Sequence, residues 1–186
     1  DELSQLATAE YKIHSGPNEF GTPLINWTTV FMYTPGRQLY DTNWLLSSGD
    51  WQLLQNGTNY VTVRTFDNLS NATTSYDLFY IRKDTSPPTA EDNQLNIYAN
   101  DPADIQNCNI DFYDPGGAKL NWAQYTARPS ASLPAEYIID WTNIATAINT
   151  TYYLTNWSVD FAQLPNGATS YISVRTQDFA GNTTTY

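Results

Sequence analysis

The sequence is poor in the residues that most often carry chemistry. It holds one cysteine and one histidine in 186 residues. A single cysteine, Cys108, excludes an internal disulfide, so packing alone must hold the chain together. Alternation along Cys108-Asn109-Ile110-Asp111-Phe112 puts the thiol on one face with Ile110 and Phe112, where it reads as a small apolar side chain rather than a nucleophile. The lone His14 and the absence of Cys/His ligand spacing leave no zinc motif. No Gly-rich phosphate loop and no local nucleophile signature occurs either. No catalytic residue is therefore assigned, and the chain is expected not to be an enzyme. Basic residues are scarce as well: 8 Lys and Arg face 19 Asp and Glu, for a net charge of −11. That balance argues against binding a phosphate backbone and suits a soluble surface or secreted protein. No apolar run approaches the roughly 20 residues needed to span a bilayer. Helical periodicity is nearly missing too.

What the chain does have is itself, twice. Residues 56–74 read NGTNYVTVRTFDNLSNATT and residues 166–185 read NGATSYISVRTQDFAGNTTT. Tyr60, Val63, Arg64, Thr65, Asp67 and Asn71 thus match Tyr171, Val174, Arg175, Thr176, Asp178 and Asn182. The match extends upstream: Tyr11 to Tyr125, Trp27 to Trp141, Trp44 to Trp157. A repeat of this length sets architecture before any local reading does. His14 falls opposite Arg128, so no repeated site uses it.

Between turn signals the sequence alternates in the manner of strands, with β-branched and aromatic residues. The clearest is 59–66, with Val61, Val63 and Thr65 on one face and Tyr60, Thr62 and Arg64 on the other; its counterpart sets Ile172, Val174 and Thr176 against Tyr171, Ser173 and Arg175. The aliphatic face is the expected core side, and each Arg can lie across an aromatic ring on the outer face. Further strands are expected at 6–13, 77–82, 95–99, 105–113, 119–127 and 152–161, and around Trp27 and Trp141. Asp67 and Asp178 end their strands at turns, where an Asp side chain accepts backbone N–H bonds. Ser70 stands where the second copy has Gly181, so the first turn is expected to differ. Pro87-Pro88 cannot continue a central strand. The resulting division is an Ig-like repeat over 1–84, a Pro-rich linker over 85–88 and a second Ig-like repeat over 89–186. The phase of the duplication makes the first repeat incomplete at its start and the second at its end, as expected of a stretch from a longer array.

Seven or so strands per 100 residues predict an all-β fold of tandem immunoglobulin-like sandwiches, nearer the fibronectin type III pattern because no Cys…Trp…Cys triplet exists. Three stretches carry a family likeness: Asn166-Gly167 with the strand Tyr171–Arg175, the turn Asp178-Phe179-Ala180-Gly181-Asn182, and the junction Asp84-Thr85-Ser86-Pro87-Pro88. With Asp111–Gly117 they resemble the tandem bacterial Ig-like or fibronectin-III-like repeats of large secreted and cell-surface proteins. The resemblance implies an extracellular, non-catalytic segment of a fibre, stalk or filament that spaces and stiffens the assembly. Its partners would be neighbouring repeats of the same chain or other copies of itself. These are motifs of architecture and say little about function.

Three sets of candidate site residues remain. Asp67, Asp84, Glu91 and Asp92 are candidate Ca²⁺ ligands at the junction, because carboxylates from adjacent repeats and their linker can gather there; no EF-hand loop occurs. Trp51 and Trp122 have no counterpart in the other copy, so they are the candidates for contact with glycans, which would make the chain an adhesin or carbohydrate-binding module. Trp27/Trp141 and Trp44/Trp157 recur and read as packing. Asn-x-Ser/Thr sequons begin at Asn26, Asn56, Asn68, Asn71, Asn149, Asn156 and Asn182.

Overall fold

The computed structural model describes residues 4–93, 108–131 and 136–186. The chain forms two units, Asp1–Lys83 and Asp84–Tyr186. Both are built from antiparallel strands, and the fold is all-β as the alternation predicts.

Unit 1 contains β1 (Leu6–His14), β2 (Pro23–Arg37), β3 (Gly57–Asp67) and β4 (Ala72–Lys83) in one sheet of order β2-β1-β3-β4. Alternation decides its faces: Ala9, Tyr11 and Ile13 of β1 are buried, and Val61 of β3 is fully so. Register places Tyr11 opposite Val63 and Ile13 opposite Val61. Leu54, Trp44 and Leu46 pack onto this face from the connection between β2 and β3. That connection carries a short helix, α1 (Ser48–Leu53), where the sequence reading expected none. Its signal was present: Ser47 caps the helix by accepting from the Asp50 N–H at 3.0 Å, the Ser-x-x-acid pattern of a capping box. Tyr11 donates to the same Asp50 carboxylate at 2.8 Å. Burial, and then Asp50, push the Tyr11 phenol up to about 12.

Unit 2 is a two-sheet sandwich. One sheet has the order β11-β10-β7-β8, from β7 (Leu120–Arg128), β8 (Ile139–Thr146), β10 (Tyr171–Asp178) and β11 (Thr183–Thr185). The other has the order β5-β6-β9, from β5 (Thr89–Asp92), β6 (Ile110–Tyr113) and β9 (Tyr152–Tyr153). Phe112 of β6 and Leu120, Ala123, Tyr125 and Val174 of the facing sheet share one core. Pro88 is fully buried, whereas Pro87 beside it is exposed.

The duplication holds at the level of register. Val63 opposite Tyr11 becomes Val174 opposite Tyr125, and Arg64 opposite Glu10 becomes Arg175 opposite Gln124. Tyr11 stacks on Trp44 at 4.7 Å and Tyr125 on Trp157 at 5.3 Å. On the outer faces Arg64 lies 3.9 Å over Trp27 and Arg175 4.2 Å over Trp141. The arginines therefore use the Trp of the second strand along, not the Tyr four residues before them.

Several expectations need correction. The strand foreseen at 152–161 stops at Tyr153; Trp157 makes only an isolated bridge to Cys108, and a 3-10 turn follows at Phe161–Gln163. Ile172 is exposed although Val174 and Thr176 on its face are buried. Ser70 does not change the turn: it takes φ 66° against 92° for Gly181, and its N–H donates to Asp67 O at 3.1 Å as Gly181 does to Asp178 O at 3.2 Å. The strand expected at 95–99 lies outside the described residues, as does the start of the one at 105–113.

Candidate metal centre

Three aspartates end three different segments of unit 2 and meet. Asp84 opens the unit, Asp114 follows β6, and Asp178 ends β10. One carboxylate oxygen from each lies within 4.8 Å of the others, and Asp114 and Asp178 are buried. Each carboxylate first organises its own turn. Asp84 accepts from the N–H groups of Ser86 and Ala118, both at 2.9 Å. Asp114 accepts from Gly116 N–H at 2.9 Å and from Lys119 N–H. Asp178 accepts from the Asn182 N–H at 2.9 Å and its side-chain amide at 2.8 Å. Asn182 also donates to the Asp84 carbonyl at 3.2 Å, tying the first and last of these segments. The close approach needs a glycine: a Cβ on Gly116 would collide with the Asp84 carboxylate.

Backbone N–H groups stabilise carboxylates but bring no net charge. Among the described residues no ion pair involves these three aspartates. At an effective dielectric near 20, two unit charges this close repel by about 3 kcal/mol or more. A hard cation with oxygen ligands is the chemical complement of such a group, and each carboxylate oxygen keeps a second lone pair for it.

Only Asp84 of the four sequence-predicted cation ligands belongs to this group. Glu91 and Asp92 lie exposed on β5, paired through the backbone with Asp111 and Ile110. Asp67 sits in unit 1 and closes the turn equivalent to that of Asp178. It accepts from Ser4 Oγ at 2.6 Å, from Leu69 and Asn71 N–H at 2.8 Å each, and from the Asn71 amide at 2.7 Å. The Ser4 hydroxyl, then the Asn71 amide, lower its carboxyl to about 2. Sequence reasoning assigned Asp178 to its turn and missed that Asp114 joins it. The available signal was that both Asp-x-x-Gly segments follow strands that finish in turns.

The two unmatched tryptophans do not present bare rings. Trp51 lies on α1, 38% exposed, with Lys83 Nζ 5.5 Å from its ring centre. Trp122 donates through its indole N–H to Gln177 at 2.9 Å, and Arg175 lies 5.6 Å from its ring. Of the sequon asparagines, Asn26, Asn56, Asn68, Asn71, Asn149 and Asn156 are exposed and Asn182 is half-buried. Asn71 donates one amide hydrogen to Asp67, whereas Asn182 spends both of its own, on Asp178 and on the Asp84 carbonyl, leaving none to exchange for a glycan without loss of a bond. Burial pushes the Cys108 thiol above its ordinary range, which keeps it protonated. Burial likewise lowers His14. No helix among the described residues is long and apolar enough to cross a membrane.

No protein-family model and no curated protein matches the sequence. A solved structure described as the tetra-tandem repeat in the extending region of a large adhesion protein aligns with 96% of this chain, at 16% identity and a TM-score of 0.39. The chain spans 40% of that structure's length. At that score the likeness decides neither fold type nor function.

Proposed function

We propose that this chain is a non-enzymatic, Ig-like repeat segment of an extracellular fibre, stalk or filament, and that it spaces and stiffens the assembly. The carrying observation is what recurs. The matched residues are the Tyr–Trp core pair, the Arg–Trp outer pair and the Asp-closed turn, all of which hold a sheet together and none of which forms a shared reactive site. Selection on a scaffold copies scaffold; selection on a catalytic centre would copy its reactive groups. Pulling the full chain between two handles tests this. Two separate unfolding events are expected, each releasing about 300 Å of chain. A single low-force extension without resolved events would sink the reading.

A second, separable proposal concerns Ca²⁺. The observation favouring it is the convergence of Asp84, Asp114 and Asp178, with no ion pair to any of them among the described residues. Bound there, the ion would tie the opening segment of unit 2 to two of its turns. The glycan-binding alternative gains no comparable support, because Lys83 and Arg175 attend the two rings that would have to stack on sugar.

A further inference from the structure

We propose that Asn166-Gly167 is a self-modifying site, where the Asn166 side-chain amide is lost as ammonia and a carboxylate takes its place, and that Asn59 holds back the same reaction at the matching Asn56-Gly57. The chain has two Asn-Gly pairs, and they occupy the same place in the duplication. Asn-Gly is the dipeptide most prone to this chemistry, because glycine puts no side chain in the way of its own nitrogen. The Gly167 nitrogen gives up its proton to solvent and attacks Asn166 Cγ. Ammonia leaves and a succinimide ring remains. Water then opens the ring: at the Asn166 backbone carbonyl it yields isoaspartate, and at Cγ it yields aspartate. The balance is one water consumed and one ammonia released, so neither an enzyme nor an oxidant is required.

Ring closure needs a backbone free to turn, and here the copies differ. Both asparagines are exposed, so exposure does not separate them. Asn166 and Gly167 stand in a turn outside any strand, and neither makes a hydrogen bond among the described residues. Gly167 takes φ 72°, with open space where a Cβ would point. Gly57, by contrast, lies in β3 opposite Lys83 of β4. Asn59 is fully buried and bridges the backbone on both sides of Asn56. Its Oδ1 accepts from the Gln55 N–H at 3.1 Å. Its side-chain amide lies 2.9 Å from the Gln55 carbonyl and 3.2 Å from those of Gly57 and Ile81, which fixes the loop to β4. In unit 2 Ser170 precedes the strand tyrosine where unit 1 has Asn59, and one more residue separates it from the glycine. The Ser170 hydroxyl is buried without a hydrogen-bond partner among the described residues. A side chain this short cannot span the loop, so the second copy keeps the reactive pair and lacks the staple. Unit 2 thus acquires negative charge with age and unit 1 does not.

The test ages the full chain at neutral pH and body temperature and follows both sites by peptide mapping with mass spectrometry. Asn166 should gain the mass of an amide-to-acid exchange, with isoaspartate identified by enzymatic methylation of its carboxylate. Asn56 should react more slowly by about tenfold or more, because its loop must first break several hydrogen bonds. The rate at Asn166 should rise with pH, as attack by a deprotonated amide nitrogen requires. In urea the two rates should converge, because unfolding removes the staple. Asn59→Ser should bring Asn56 to the rate of Asn166; if that variant unfolds unit 1, the comparison of native chain with urea still decides. An unmodified Asn166, equal rates in the native chain, or a difference that survives in urea would each overturn the proposal. So would a folded Asn59→Ser chain in which Asn56 stays slow. None of these readouts depends on the chain's place in an assembly, so this inference and the pulling experiment stand or fall separately.

Discussion

Ser70 holds a left-handed backbone that glycine takes freely, and it does so because its N–H closes the Asp67 turn. Replacing it removes the steric cost and keeps the hydrogen bond. Ser70→Gly should stabilise unit 1 by about 0.5–1 kcal/mol, while Gly181→Ala should cost unit 2 about 1 kcal/mol. No atom crowds a Cβ at Gly181, so that cost is one of dihedral angle alone. Urea titrations read both. His14 gives a pH prediction. It is buried, with Lys12 opposing its charge and Glu19 and Asp77 partly favouring it, and its folded pKa lies below the ordinary 6.5. Between those two values the unfolded chain binds the proton and the folded chain does not. The His14 contribution is thus fully present above about 6.5 and is lost as pH falls toward the lowered value. His14→Gln should flatten that decline in the melting temperature of unit 1. Asp67 acts lower: its stabilisation holds above its ordinary 3.8 and disappears as pH falls toward about 2.

At the scale of elements, α1 depends on a residue outside it. Lys83, at the end of β4, is buried, and its ammonium donates to the carbonyls of Trp51 at 2.8 Å and Leu54 at 2.9 Å. A cation there satisfies two C-terminal carbonyls and opposes the negative end of the helix. Lys83→Met should cost unit 1 about 1.5–3 kcal/mol, the range for hydrogen bonds to a charged group, measured by denaturant unfolding. Equal stability of the methionine variant would mean that the ammonium is replaceable by packing. The β1 and β3 strands and their partners in unit 2 were readable in advance, because period-2 burial leaves its mark directly on residues such as Val61, Val63 and Val174. Helix α1 was not read, since six residues are too few to show a period and only its Ser47–Asp50 cap announces it. The second half of 152–161 was misread because aromatic and β-branched residues favour strands without supplying a partner. The Asp-x-x-Gly segments of Asp114 and Asp178 announce two turns but not their meeting, because 64 positions separate them and only the sandwich brings them together.

At the scale of the molecule, eleven of the nineteen acidic residues fall in 84–186, and three of them crowd one spot. Ca²⁺ in excess should raise the melting temperature of unit 2 and leave that of unit 1 unchanged. At 100 times Kd the gain is about 2.7 kcal/mol, or roughly 10 °C or more for a unit of this size. Asp114→Asn should abolish the gain; in chelator it should melt somewhat below the parent chain, because its amide can accept only one of the two N–H bonds from Gly116 and Lys119, so the gain is read within each variant. Identical melting curves in Ca²⁺ and chelator would remove the cation from the account. Terbium luminescence offers an independent readout of occupancy. The passage from Lys83 to Asp84 has a mechanical meaning besides. Lys83 is moored to the helix carbonyls of its own unit, and the very next residue is moored to the Gly116 and Ala118 turn of the other. Tension running along the backbone therefore meets a side-chain anchor immediately on each side of one peptide bond. Within each unit, the first bonds that such tension would load are these polar clamps rather than the sheet itself.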